Sequence, residues 1–151
     1  MEIEKFSKLL ERALSGQEPL LNDWDVFRSA NYFTKENINH AIDKINQIIA
    51  QENHPQLKNA LFLKAYMYQW GQDRAVNFPE AIKLYEQAIL LKQPSAMAHR
   101  ADMHRLGLGG HVAMTEAIKL YEQAFDLGNH APMILQAQRF IGLINSKGGD
   151  Y

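Results

Sequence analysis

The chain has 151 residues, a formal net charge of −1 and an apolar content of 46%. These values are typical of one globular domain and exclude an intrinsically disordered chain. The 16 basic and 17 acidic side chains are spread along the sequence without a block of like charge. We therefore expect neither nucleic acid nor a membrane as a partner. The absence of cysteine excludes disulfides, thiolate catalysis and Cys-based zinc sites.

The N-terminal segment Met1–Phe6 is charged and has no apolar core, so we expect no secretory signal peptide. No apolar run approaches the roughly 18 residues that a membrane-spanning helix requires. These features predict a cytoplasmic protein. Export by a route that does not read an N-terminal signal is the alternative.

In the first third of the chain, apolar periodicity predicts an amphipathic helix over residues 2–15 and a second helix over 20–33. Thr34 is a candidate N-cap for a third helix over 35–51. We assign residues 1–34 to N-terminal helices and 35–56 to a divergent half repeat. The predicted apolar face of the first helix consists of Ile3, Phe6, Leu9, Leu10 and Ala13.

The second part of the chain contains an internal repeat. The segment Glu80–Ala88 recurs identically at Glu116–Ala124, an offset of 36 residues. A period of this length is typical of stacked helical repeats. The same offset relates Ala60 to Ala96, Ala65 to Ala101, Met67 to Met103 and Gly71 to Gly107. We therefore define repeat 1 as residues 57–92 and repeat 2 as residues 93–128.

Each repeat is predicted to form two helices, A and B. In repeat 1, helix A spans 57–70 and helix B spans 79–92, with Pro79 suited to a first turn. In repeat 2, Thr115 is the candidate N-cap of a helix B over 116–127. A final helix over 131–145 corresponds to helix A of a third unit without its helix B, and we assign residues 129–147 to a C-terminal capping helix.

This two-helix repeat resembles the Sel-one-like repeat, a relative of the tetratricopeptide repeat. The second unit matches that family's pattern at Ala96, Gly107, Gly109, Ala117, Tyr121, Ala124 and Gly128, and the first at Ala60, Ala65, Tyr68, Gly71, Ala81, Tyr85 and Ala88. Departures include His104 in place of an aromatic residue and Asp73 in place of a glycine. The resemblance implies an all-α fold. Its architecture would be an α/α superhelix, a right-handed stack of helical hairpins with about seven to eight helices, forming one domain over 1–151.

The resemblance also implies a protein-binding adaptor rather than an enzyme. Many members of the family occur in bacteria, including pathogens that export them into host cells. By analogy with tetratricopeptide stacks, the A helices would line a concave groove that binds a protein or peptide partner. The residues predicted to face the partner are Asn59, Phe62, Tyr66, Gln69, Asp102, Arg105 and Gln138. The alternative is that Phe62 and Tyr66 pack against the chain's own N-terminal helices and fill the groove.

Two other functions remain open. A self-assembling structural module would follow if the C-terminal helix exposed an apolar face formed by Ile134, Ile141 and Ile144, although we expect a monomer rather than an oligomer. A small-molecule binder or an enzyme without a recognisable motif is the further alternative.

We assign no catalytic residues, no metal site and no cofactor. His99 and His104 are five residues apart and would not face one another on a helix. The glycine-rich segment 107–110 lacks the Lys-Ser/Thr continuation of a phosphate-binding loop. The repeat explains it as a turn between two helices.

Overall fold

The computed structural model describes residues 3–16, 34–71, 75–129 and 132–146. All regular structure in these ranges is helical, which confirms the all-α fold class. The helix predicted over 20–33 lies outside the described residues. The helices are α1 Ile3–Leu14, α2 Lys35–Ile49, α3 Leu57–Trp70, α4 Phe78–Leu90, α5 Pro94–Leu106, α6 Met114–Asp126 and α7 Pro132–Ser146.

The chain divides into two units, Met1–Leu91 and Lys92–Tyr151. The first unit contains α1 to α4 and the second contains α5 to α7. The division falls within one residue of the end predicted for repeat 1 at residue 92. The assignment of the whole chain to one domain stays a prediction.

Each repeat forms a helical hairpin whose contact is lined by alanine. Helix α3 packs along α4, and α5 packs along α6. Small side chains at such a contact allow the two helix axes to approach closely, so that larger neighbours fill the space beside them. The alanines at these positions have no solvent exposure: Ala60, Ala65, Ala81 and Ala88 in repeat 1, and Ala96, Ala101, Ala117 and Ala124 in repeat 2.

The turn between the helices of each hairpin repeats the same backbone bonds. Helix A ends at a glycine in the left-handed region, Gly71 with φ 69° and Gly107 with φ 70°, a conformation that favours glycine. The residue before helix B then donates its N–H to the last turn of helix A. This bond joins Asn77 to the Tyr68 carbonyl at 3.0 Å, and Ala113 to the carbonyl of residue 104 at 2.8 Å. The internal sequence repeat is therefore also a structural repeat, in which the turn between the two helices has the same backbone hydrogen bond in both units.

The N-caps of the two B helices differ. The Asn77 side chain accepts a hydrogen bond from the Glu80 N–H at 3.1 Å, whereas Ala113 has no side chain able to do so. The expected cap at Thr115 was wrong, because α6 begins at Met114 and Thr115 lies inside its first turn. The expected cap at Thr34 is confirmed, since its Oγ1 accepts from the Asn37 N–H at 3.2 Å.

This difference between the repeats predicts that a cap can be transferred. Asn77 and Ala113 share nearly the same backbone angles, with φ −138° and −133°. We expect Asn77→Ala to lower the free energy of unfolding by about 1 kcal/mol and Ala113→Asn to raise it by about 0.5–1 kcal/mol. Urea unfolding of both variants measures these changes. A destabilising effect of Ala113→Asn would show that the two caps are not equivalent.

The last helix, α7, packs against α6 in the second unit. Ile134 and Ile141 are 0% and 5% exposed. The expectation that they form an exposed apolar face was therefore wrong, because these side chains lie on the packed side of the helix. The Ile144 side chain lies outside the described residues.

Candidate functional site

The four residues of repeat 1 predicted to face a partner are buried. Phe62 and Tyr66 are 0% and 2% exposed. The Phe62 ring lies 6.2 Å from that of Tyr66 and 6.1 Å from that of Tyr85 on α4, measured between ring centroids. Such tilted aromatic contacts are typical of a packed core. Phe62 and Tyr66 thus pack inside the first unit, and their packing against the N-terminal helices stays a prediction.

The two polar residues among these four, Asn59 and Gln69, form hydrogen bonds with neighbouring helices. The Gln69 Oε1 accepts a hydrogen bond from the Tyr85 hydroxyl at 2.5 Å, and the Asn59 Nδ2 donates to the Leu14 carbonyl at 2.8 Å. Because buried polar groups must be hydrogen-bonded, these contacts satisfy amides that burial would otherwise penalise. A partner-binding role for any of the four residues stays a prediction, and in this structure their surfaces are turned inward.

The equivalent positions in repeat 2 carry ionisable residues that reach solvent. Asp102 and Arg105 on α5 have side chains that are 20% and 45% exposed. By the 36-residue offset they replace Tyr66 and Gln69. Tyr121 on α6, which corresponds to Tyr85, completes what we call the Asp102 cluster: Asp102, Arg105 and Tyr121.

Hydrogen bonds connect all three members of the Asp102 cluster. The Tyr121 hydroxyl donates a short bond to the Asp102 Oδ1. Arg105 donates from Nη2 to the same carboxylate oxygen at 3.3 Å, and from Nε to the Tyr121 hydroxyl at 3.3 Å. These two bonds use two of the five N–H donors of a guanidinium group. The cluster therefore has donors and carboxylate acceptor capacity left for an external group.

The surroundings of the Asp102 cluster shift the pKa of both of its acids upward. Partial burial raises the pKa of Asp102 because it disfavours the charged form, while the Tyr121 hydrogen bond and the charge of Arg105 act in the opposite direction. Burial also raises the pKa of Tyr121, and the adjacent Asp102 carboxylate adds to the shift. Tyr121 is therefore a neutral hydrogen-bond donor at physiological pH.

Asp102 and Arg105 were predicted from the sequence as partner-facing residues, whereas Tyr121 was noted only as a match to the repeat pattern. In repeat 1 the equivalent Tyr85 donates to Gln69, whereas in repeat 2 Tyr121 accepts from Arg105 across the same 16-residue separation and donates to Asp102. Gln138, the last of the predicted residues, lies half-buried on α7 and does not take part in this set of hydrogen bonds.

Among the residues that the structure describes, no three His, Asp or Glu side chains converge to hold a metal ion. A hollow in the first unit has an internal volume of about 10 Å³, the least that would hold one water. It is lined by Ile42, Ile45, Asn46, Lys64 and Met67. Within the described ranges, no helix is long and apolar enough to span a bilayer.

Comparison with known proteins identifies the repeat. The family model described as the Sel1 repeat matches residues 59–92 and 94–129. A solved structure, a protective antigen present in uropathogenic Escherichia coli strains and described as displaying an SLR fold, has a TM-score of 0.53 and 20% sequence identity. The likeness covers 97% of this chain and 34% of that one, so the chain spans about a third of its length. No curated protein matches the sequence.

The chain therefore carries two Sel1 repeats and has the Sel1-like repeat fold, which confirms the resemblance found in the sequence. Proteins built from this repeat commonly mediate protein–protein interactions.

Proposed function

We propose that this chain is a non-enzymatic adaptor that binds a segment of another protein, with the Asp102 cluster as the anchoring site. The observation that carries the proposal is the difference between the two repeats. Repeat 1 has the buried, neutral side chains of Tyr66 and Gln69, whereas repeat 2 has the partly exposed Asp102 carboxylate and Arg105 guanidinium at the same positions. Packing alone does not require charged residues here, since repeat 1 forms the same hairpin without them.

The cluster suits a peptide main chain, which offers one donor and one acceptor per residue. Arg105 would donate its remaining N–H groups to a partner carbonyl or carboxylate. Asp102 would accept from a partner N–H. Because Tyr121 holds the carboxylate and the guanidinium in place, less side-chain entropy is lost on binding. Arginine is also among the residues most often found at the energetic centre of an interface.

We predict that an Asp102→Ala/Arg105→Ala double variant loses its partner while remaining folded. Truncating hydrogen-bonded charged residues at an interface typically costs about 2–5 kcal/mol of binding, or roughly 30-fold or more in affinity. Affinity capture from native lysate, followed by titration of the captured protein, measures the loss.

The matched control is Lys119→Ala/Glu122→Ala, which removes one exposed positive and one exposed negative charge from α6 of the same unit. It should retain the partner. Equal capture by both double variants would place the binding site elsewhere on the chain.

Self-assembly has less support, because the apolar C-terminal face on which that interpretation depended is buried at Ile134 and Ile141. We therefore do not extend the proposal to an oligomer.

A further inference from the structure

Helix α1 lies outside the two repeats and packs against α2 and α3 within the first unit. Its buried side chains are Phe6, Leu10, Ala13 and Leu14, one stripe with i, i+4, i+7, i+8 spacing. The hydroxyl of Ser7 lies 2.7 Å from His40 Nε2, and Glu11 lies 2.6 Å from Lys44 Nζ. Both pairs have a sequence separation of 33, so α1 and α2 run parallel.

This direction distinguishes α1 from the hairpin helices. The two helices of a hairpin run antiparallel, whereas α1 runs parallel to the helix that it contacts most. The surface of α2 beside His40 and Lys44 is a stripe of buried residues at helical spacing, formed by Asn37, Ala41 and Ile48. Helix α1 is therefore not paired with α2 as the other half of a hairpin.

Side-chain amides at the start of α3 bind the C-terminal end of α1. The Leu14 carbonyl accepts the buried hydrogen bond from Asn59 Nδ2, and Ser15 Oγ accepts from Gln56 Nε2 at 3.3 Å. Gly16 follows with φ 72°, and a Cβ there would lie 3.2 Å from Asn59 Nδ2. The last carbonyls of a helix lack intrahelical partners. The Asn59 side-chain amide therefore binds the end of a helix through its backbone, whatever the side chain at that position.

We propose that α2 and the start of α3 form a helix-binding seat that α1 occupies as an internal ligand, and that an amphipathic helix of a partner protein binds there in exchange. The chemistry of α1 defines the partner helix. It carries an apolar stripe with the spacing of Phe6, Leu10, Ala13 and Leu14. It also has an acidic residue at the place of Glu11, opposite Lys44, and ends in a glycine.

The contacts of α1 favour exchange. A helix of 12 residues is marginally stable by itself, so its order depends on being docked. The Glu11–Lys44 pair is solvent-exposed, with side chains 49% and 40% accessible, and pairs of this kind are weak and sensitive to salt. Helices of this type commonly bind apolar grooves of other proteins.

The test uses the full chain and a fluorescent peptide of residues 1–16, with binding followed by anisotropy. In wild type the resident α1 competes with the peptide. Leu10→Asp in the chain should expel α1 and tighten peptide binding by about tenfold or more, since a competing state lowers apparent affinity by its population. Lys8→Gln, which alters a side chain that is 76% exposed, should match wild type. A peptide with Gly16→Ala should bind the Leu10→Asp chain more weakly.

A second variant keeps the test valid if the Leu10→Asp chain fails to fold. Lys44→Glu changes only a surface charge. A peptide carrying Glu11→Lys should bind the Lys44→Glu chain about two- to fivefold more tightly than the unaltered peptide does. Equal affinity of both peptides for that chain, or peptide binding that is the same in the wild-type, Lys8→Gln and folded Leu10→Asp chains, would overturn the proposal.

The occupant is tested separately. A dimer of the wild-type chain that grows with concentration and is blocked by the peptide would assign the seat to a second copy, and would overturn the assignment to a partner helix. The proposal does not depend on the Asp102 cluster, because every residue that it uses lies in the first unit. Loss of peptide exchange would therefore leave the adaptor proposal intact.

Discussion

Phe62→Ala is expected to lower the free energy of unfolding by about 3–5 kcal/mol, the range for removing a large aromatic side chain from a core. Phe62 has no solvent exposure and contacts the rings of Tyr66 and Tyr85. The expected loss is large compared with the usual stability of a small domain. Urea unfolding followed by circular dichroism measures it.

The matched control is Leu90→Ala in the same unit, where the side chain is 83% exposed. This change should alter stability by less than about 0.5 kcal/mol. If Phe62→Ala were equally harmless but abolished partner binding, Phe62 would be an interface anchor, as its position in the repeat first indicated.

Acidification is expected to destabilise the second unit through His99. Burial lowers the pKa of His99 from 6.5 to about 4, because the charged imidazolium would lose its hydration. Between these values the unfolded chain binds a proton that the folded chain excludes, so stability is fully present above pH 6.5 and falls as the pH drops toward 4. The loss between pH 7 and 4.5 should be on the order of 2–3 kcal/mol.

The variant His99→Gln isolates this contribution, since glutamine does not titrate. Carboxylates titrate in both proteins over the same range. They include Asp102, whose raised pKa acts with the opposite sign. The comparison is therefore between the pH slopes of wild type and variant in urea unfolding. Parallel slopes would mean that the pKa of His99 is the same in the folded and the unfolded chain.

Much of the fold could be predicted from local sequence signals. The helix predicted over 57–70 is α3, Leu57–Trp70, because the 36-residue repeat and a terminal glycine mark its extent. Thr34 was predicted correctly because threonine is favoured at the N-cap position. The start of α6 was missed because its N-cap residue, Ala113, has no side chain that could cap the helix.

The site was harder to predict than the fold. Position in the repeat placed Phe62 and Asp102 on helix A, but it could not show which of these positions would be covered. Exposure depends on what packs above each helix. In the first unit Asn59 is covered by the end of α1, a contact across 45 residues that no local pattern encodes. The Tyr121–Asp102 bond joins two helices, and repeat 1 has Tyr66 at the position of Asp102, so the repeat did not indicate it.

The adaptor proposal is tested most directly by photo-crosslinking in living cells. Benzoylphenylalanine would be placed at Leu106, which is 54% exposed beside Arg105, and separately at Glu122 on the exposed surface of α6. The proposal predicts a discrete adduct with a partner protein from position 106, absent from position 122 and lost when Asp102→Ala is added. An adduct only from position 122, or one from position 106 that Asp102→Ala leaves unchanged, would contradict it.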